Sequence, residues 1–313
     1  MSKYFFTSQD LINSVKRRAS IPDSQSMITD AEILEFANEE MELNVIPLIV
    51  AKHEDYFLTR EDVAVVSNQQ SYAIPYRAIG SQLRNLCVSD ENSNELGSMS
   101  RIPLEEAMTH SRYGNQSFGN RRYYIQNENV VILGNNSNDL NADYLSFFYN
   151  LSPNKLVAST RVAIITQIDE GSGQIIVDRM PDNFTLTSEY DFVKTRAPHK
   201  ILTYDIAVSD IDVSNKLITF NTQDLPDQLR VGDRIAISGE TDVVNCPSEL
   251  HVMLAQSVAA RILESIGDNE NLQMAERKLK KMEDNAANIL DNRVSGSPIK
   301  AKPTRFSNRR RRR

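Results

Sequence analysis

The stretch Pro247–Leu290, PSELHVMLAQSVAARILESIGDNENLQMAERKLKKMEDNAANIL, decides how the chain is read. Pro247 suits the first turn of a helix, where its missing N–H costs nothing, and Gly267 suits the position just past the last turn, where the backbone goes left-handed. Asp268 or Asn269 then caps a second helix. Along it Leu272, Ala275, Leu279, Met282, Ala286 and Ile289 step by 3, 4, 3, 4, 3, a narrow stripe suited to a helical partner. Glu276, Arg277, Lys278, Lys280, Lys281 and Glu283 lie opposite. Residues 245–292 are therefore predicted to form a helical hairpin whose seam is carried by Leu272, Leu279, Met282 and Ile289.

Working outward, the other end of the chain repeats the pattern. Thr7 to Asp10 and Thr29 to Glu32 are capping boxes, in which a hydroxyl and a carboxylate three residues apart satisfy each other's backbone N–H groups. Leu11, Val15 and Ala19 follow the first, and Ile33, Phe36 and Ala37 follow the second, at helical spacing. Pro22 stops the first helix. The second is expected to run to about Tyr56, with Pro47 ending or kinking it. Residues 1–61 are read as an N-terminal helical hairpin that packs on the C-terminal one.

Between the helical ends the hydrophobic period changes. Residues 62–158 read as a mixed β region with one short helix from Pro103 to His110. Val63–Val66 and Gln70–Ile74 are expected to pair around Ser67-Asn68-Gln69, and Tyr123–Gln126 to form a hairpin with Val130–Leu133. Leu83–Val88 and Asp143–Leu151 are further strands. Residues 159–240 read as an inserted small β-barrel or sandwich. Two weakly similar units recur there about 43 residues apart: Ile168-Asp169 and Ile175-Ile176-Val177 answer to Ile211-Asp212 and Leu217-Ile218. Pro181-Asp182-Asn183-Phe184 answers to Pro226-Asp227-Gln228-Leu229. An internal duplication and two hairpins sharing turn chemistry both explain the match. The fold class is α+β.

Charge is segregated. The chain has 313 residues, 35 Lys+Arg and 42 Asp+Glu, a net −7. Nine of the cations and none of the anions follow Asp291, so a tail of +9 leaves a body of −16. A block of like charge cannot bury itself and serves as an interaction arm. In this arm, residues 293–313, Pro298 and Ile299 precede Lys300, Lys302, Arg305 and Phe306. Arg309, Arg310, Arg311, Arg312 and Arg313 close it. Ile299 and Phe306 are apolar anchors among charges able to grip carboxylates.

Catalytic signatures are missing from the sequence. It holds no GxxxxGK[ST], GxGxxG or GxSxG, and His53-Glu54 lacks the second histidine of a zinc-protease motif. His53, His110, His199 and His251 are scattered, and Cys87 and Cys246 form no CxxC. No catalytic residue, metal ligand or cofactor is expected. No apolar run approaches the ~20 residues that span a bilayer, and the MSKYFFTSQDL start has no signal-peptide core, so a protein kept in the cytoplasm is expected.

Two regions resemble a known family. Thr7-Ser8-Gln9-Asp10-Leu11-Ile12, Val15-Lys16-Arg17-Arg18-Ala19, Thr29-Asp30-Ala31-Glu32-Ile33-Leu34 and Pro75-Tyr76-Arg77-Ala78-Ile79-Gly80 stand in the first half. Pro247-Ser248-Glu249-Leu250, Leu254-Ala255-Gln256, Ala259-Ala260-Arg261-Ile262-Leu263 and Gly267-Asp268 stand near the end. Together they resemble the head-to-tail connector (adaptor, or neck ring) proteins of tailed bacteriophages, the short-tailed type above all. The resemblance covers both helical ends and not the β insertion. It implies a virion protein assembled in the host cytoplasm as a ring of copies of itself, in the family commonly twelve. Such a ring lies beneath the portal protein and around the DNA channel, and its C-terminal segment reaches onto the portal. A further neck or tail protein and, transiently, genomic DNA are the other implied partners; no membrane is. The acidic body suits a channel through which phosphate must slide. Two other functions stay open on the residues alone: a nucleic-acid-binding protein using its arginine tail, and a phage-associated lytic enzyme.

Overall fold

The computed structural model describes residues 5–20, 28–112, 121–133, 142–196 and 198–290. Helix α1, Ser8–Arg18, starts where the sequence says: the Thr7 amide donates to Asp10 Oδ2 at 3.1 Å and the Asp10 amide to Thr7 Oγ1 at 3.1 Å. Helix α2, Asp30–Glu40, opens on the same reciprocal pair between Thr29 and Glu32. The single helix expected to continue to Tyr56 is interrupted. A π turn, Met41–Val45, separates α2 from α3, Ile46–Lys52, and the Ile46 amide bonds the Met41 carbonyl, five residues back. Pro47 lacks an N–H and its ring would strike the carbonyl four residues back, so the chain widens by one residue just before it.

Strand β1, Leu58–Ala64, and β2, Ser71–Ala73, do not pair with each other as expected. After them come β3 (Ala78–Ser89), β4 (Glu95–Ser98), β5 (Ser100–Arg101), α4 (Leu104–Arg112), β6 (Arg122–Gln126), β7 (Asn129–Leu133) and β8 (Tyr144–Leu151). One sheet has the order β1-β8-β3-β4 and the other β2-β7-β6-β5. Burial explains the separation: Tyr72 is buried in the core shared by the two sheets, while Val66, on the expected partner segment, is 51% exposed. The β6–β7 hairpin closes at Gln126↔Asn129 with Asn127 and Glu128 at φ 46° and 62°. Two successive positive φ values match the twist of a two-residue hairpin.

The chain passes into and out of the third part through two parallel strands, β9 (Lys155–Leu156) and, later, Glu240–Thr241. Between them β10 (Ala163–Asp169), β11 (Gln174–Val177), β12 (Glu189–Val193), β13 (Ile201–Asp212), β14 (Leu217–Phe220) and β15 (Arg234–Ile237) close a barrel in the order β10-β11-β14-β13-β12-β15; Glu240–Thr241 is β16. Ile168 faces Ile175 in one hairpin and Ile211 faces Ile218 in the other. Where the halves meet, Ile175 pairs with Ile218 and Phe192 with Ile235. At an offset of 43 residues Ile218 answers to Ile175 and Ile235 to Phe192, so each residue lies opposite its own equivalent at both junctions, the pattern a two-fold axis through the barrel produces. Shared turn chemistry would not create that register. The turns match as well: Asp169 accepts from the Gly171 amide at 3.1 Å, and Asp212 from the Ser214 amide at 2.9 Å. The barrel has its own core, including Ile165, Tyr190, Phe192, Ile218 and Phe220.

After a 3-10 turn, Ser248–Leu250, helix α5 spans His251–Ile266, and α6 spans Asn269–Leu290. Gly267, at φ 81°, lets its own amide and that of Asp268 turn back to the Leu263 carbonyl at 3.1 and 3.0 Å. Helix α5 is buried around most of its circumference, as a central helix must be. A single apolar cluster draws on α1 (Leu11, Val15), α2 (Ile33, Ala37), α3 (Ile49), α5 (Leu254, Val258) and α6 (Ala275, Ala286). Leu272, Leu279 and Met282 pack partly buried against it. Ile289 departs from the expected seam: it is 62% exposed, and Leu290 is buried in its stead. A stripe stepping by 3.5 drifts around a straight helix, whereas Leu290 returns to the azimuth of Leu272 after about five turns of 3.6 residues. Among the described residues no helix is long and apolar enough to cross a membrane.

Candidate functional site

No group of three or more His, Cys, Asp or Glu is disposed to hold a metal ion among the described residues. Cys87 and Cys246 are free and buried, and burial raises both thiols above the ordinary range, the opposite of an activated nucleophile. The arm residues Pro298, Ile299, Lys300, Lys302, Arg305, Phe306 and Arg309–Arg313 lie outside the described residues. Three other features do have the geometry of working parts.

The first is a buried ion-pair network where the β1-β8-β3-β4 sheet meets the barrel. Arg77, in the turn ahead of β3, is 7% exposed. Its Nη1 donates to Asp191 Oδ2 at 2.9 Å and approaches Asp205 Oδ1 at 3.4 Å, its Nη2 donates to Asn154 Oδ1, and its guanidinium lies 5.1 Å from the Tyr204 ring centroid. Asp191, fully buried in β12, accepts further from Asn154 Nδ2 at 2.7 Å, from the Gly239 amide at 3.0 Å and from the Asp205 amide at 2.9 Å. Asp205 sits at φ 58°, left-handed backbone that a non-glycine residue holds only where its surroundings over-determine it. Beside this network the Tyr149 hydroxyl donates to Glu61 at 2.8 Å and lies 2.7 Å from the Tyr204 hydroxyl, so β1, β8 and β13 are tied together as well. Fully satisfied buried polar groups specify one arrangement; here that fixes how the barrel sits on the sheet. Sequence reading named Arg77 only as part of the Pro75–Gly80 stretch that carries the family resemblance. The available signal was Asp191, a carboxylate between the large apolar Tyr190 and Phe192, which demands a cation if the strand is buried there.

The second is a pair of histidines between the barrel and the helices. His251, at the start of α5, stacks on Phe6 with centroids 5.0 Å apart and lies 5.9 Å from the ring of His199. Burial, and then the neighbouring His199, push His251 down to about 4; burial lowers His199 too. Lys194 also disfavours charge on His199, whereas Glu249 favours charge on His251 and is outweighed. Between pH 6.5 and 4 the unfolded chain binds a proton at this position that the folded chain refuses, so stability rises with pH through that window and falls as the solution is acidified. The expected loss from His251 is about 3 kcal/mol on going from pH 7 to pH 4. Comparing urea midpoints of the wild type and His251→Gln across that range checks it: the variant should show a shallower acid decline, and parallel curves would refute the assignment.

The third is a groove of about 590 Å³ between α1, α2 and residues 155–161. Leu34 and Leu156 line it together with Asp30, Glu35, Glu39 and Glu42, and Lys155 and Arg161 bring positive charge to the same groove. Asp30 is paired with Lys16 at 2.7 Å and Glu39 with Arg261. Asn38 closes the inner edge, its amide exchanging hydrogen bonds of 3.0 and 2.7 Å with the Leu156 backbone. Comparison with known proteins finds no family model that matches the chain and no similar sequence among the curated proteins.

Proposed function

We propose that the protein is a head-to-tail connector of a tailed bacteriophage, a structural part without enzymatic activity. In this reading, copies form a ring beneath the portal protein and around the DNA channel, and the arm from residue 293 onward docks on the portal. A further neck or tail protein contacts the other side, and genomic DNA passes through transiently. The observation that carries the reading is the charge segregation, +9 after Asp291 against −16 for residues 1–291. A body of that charge repels passing phosphate, and a basic arm with two apolar anchors suits an acidic protein surface. The apolar cluster shared by α1, α2, α3, α5 and α6 supports the finer view that N- and C-terminal helical hairpins form one bundle, from which the arm departs. Many arms in one ring act together, so a weak individual contact yields a firm joint.

The test is a chain lacking residues 294–313, imaged in negative stain with a candidate portal protein beside the full-length protein. The truncated chain should keep its fold and lose stacking on the portal. Normal stacking would remove the arm's role. The same truncation addresses the competing function favoured by the five terminal arginines, nucleic-acid binding. Tight, strongly salt-dependent gel shifts that vanish with the tail would support that function in place of the connector.

A further inference from the structure

We infer that the His199–His251 contact is an acid-sensitive latch between the barrel and the helical body, which opens while the Arg77 network still holds the barrel on its sheet. The two attachments differ in kind. At the sheet, Arg77 meets Asp191, Asp205 and Asn154, and the Gly239 and Asp205 amides donate to Asp191 as well. Toward the helices, no barrel strand packs along a helix among the described residues. The joint there is a stack of Phe6, His251 and His199, with ring centroids 5.0 and 5.9 Å apart. It is poorly paired. His199 is 4% exposed and its Nδ1 has no hydrogen-bond partner; Asn245 is 3% exposed and neither end of its amide has one. His199, Asn245 and Tyr56 also line a cavity of about 70 Å³. A joint that forfeits contacts and hydrogen bonds parts more readily than one whose groups are satisfied. Arg234 lies over the Phe5 ring at 5.1 Å and pairs with Asp242 at 3.2 Å. That keeps the N-terminal segment on the barrel, so what opens is the histidine contact.

Acid works on this joint because positive charge has little to meet there. On the barrel side His199 has Lys194 beside it, and the Lys200 ammonium lies 5.5 Å over the Tyr56 ring. Asp233 accepts from the Thr195 amide and is committed to Arg196 at 3.0 Å. From α5, His251 faces His199, and exposed Glu249 is the carboxylate that favours charge on it. In the segment before β1, Tyr56 packs edge-on to His53 at 5.8 Å; the phenol is neutral in acid, and His53 can only add positive charge. Burial keeps the Cys246 thiol neutral. Two protonated rings would therefore face two lysines and each other, against one exposed carboxylate and the backbone at Thr195, Val244 and Cys246. Burial and this company hold His251 down to about 4 and keep His199 below its ordinary value. Once parted, each ring titrates near its ordinary 6.5. Lowered values in the closed joint mean that closure is favoured above pH 6.5 and loses that advantage as pH falls toward 4. For His251 alone, tenfold per pH unit over that window favours the open joint on the order of 100-fold by pH 4.

Cys246, 0% exposed and adjacent to Asn245, reports the opening. The experiment treats the full-length protein between pH 7 and pH 4 with an aromatic disulfide that reacts with thiols in acid. Peptide mass spectrometry identifies the labelled cysteine, and each rate is divided by that of a small free thiol at the same pH. The relative rate at Cys246 should rise ~100-fold toward pH 4, while Cys87, buried in β3, stays flat and the helical far-ultraviolet signal holds. Deuterium exchange at the Asp205 and Gly239 amides, which bond Asp191, should stay slow. His251→Gln and His199→Gln should each flatten the rise. A Cys246 rate indifferent to pH, a rise that survives in both variants, or protection lost at Asp205 and Gly239 together with Cys246 would overturn the latch.

Discussion

Arg77→Leu is expected to lower the stability of the folded chain by about 3–5 kcal/mol, the usual cost of removing one partner from a buried ion pair. The leucine fills much of the space, so the loss is electrostatic. Asp191, 0% exposed, and Asp205 would face each other across the vacated position without a cation, and Asn154 would lose the donor to its Oδ1. A buried carboxylate beside a half-buried one must then take up a proton or admit water, and either loosens the barrel on its sheet. Arg77→Lys is the informative control. It keeps the charge and gives up the planar fork that reaches Asp191, Asp205 and Asn154 at once, so it should fall between wild type and Arg77→Leu. The measurement is the denaturant midpoint of each variant at fixed pH. A loss below about 1 kcal/mol for Arg77→Leu would mean that the network is already solvated and does not set the orientation of the barrel.

How far the fold could be read from the sequence follows from how local each cause is. Capping boxes at Thr7 and Thr29, the glycine stop at Gly267 and the Asn127-Glu128 turn act within a few residues, and each element starts or ends where those residues say. The pairing of β1 was misread because its partner, β8, lies about eighty residues further on, and nothing in Val63–Val66 records that distance. The π turn before Pro47 was half legible: the proline announces a break, and the widening that absorbs it depends on α2 and α3 both burying a face in the same core. Ile289 failed for a finer reason, the difference between 3.5 and 3.6 residues per turn. The barrel's two-fold pairing was visible as a repeat and became interpretable once Ile175 and Ile218 were seen opposite each other. The charged face of α6 could be read as a run of charge. The Arg77 network could not, since its members come from positions 77, 154, 191 and 205, brought together by the closure of the barrel.

Leu254→Asp should abolish the folded helical body and spare the barrel. Leu254 is 0% exposed at the middle of α5, inside the cluster shared with α1, α2, α3 and α6. A carboxylate there has no apparent cation to meet. Arg261 is committed to Glu39 and Glu40, and Arg18 donates to Gln256 at 2.9 Å. The cost of burying an unpaired charge, added to the lost leucine contacts, exceeds about 5 kcal/mol and so consumes most of the stability of an ordinary domain. The barrel has a separate cluster around Tyr190, Phe192 and Phe220 and is anchored to the sheet through Arg77, and it meets the helices at the His199–His251 pair. The helical far-ultraviolet signal should therefore collapse while the near-ultraviolet signal of the barrel aromatics persists. Leu279→Asp provides the scale: Leu279 is only partly buried beside the same cluster, its carboxylate can turn to water, and its cost should be less than half as large. Simultaneous loss of both signals in Leu254→Asp would show that the cores unfold as one unit, and the barrel would then owe its stability to the helices it was inserted between.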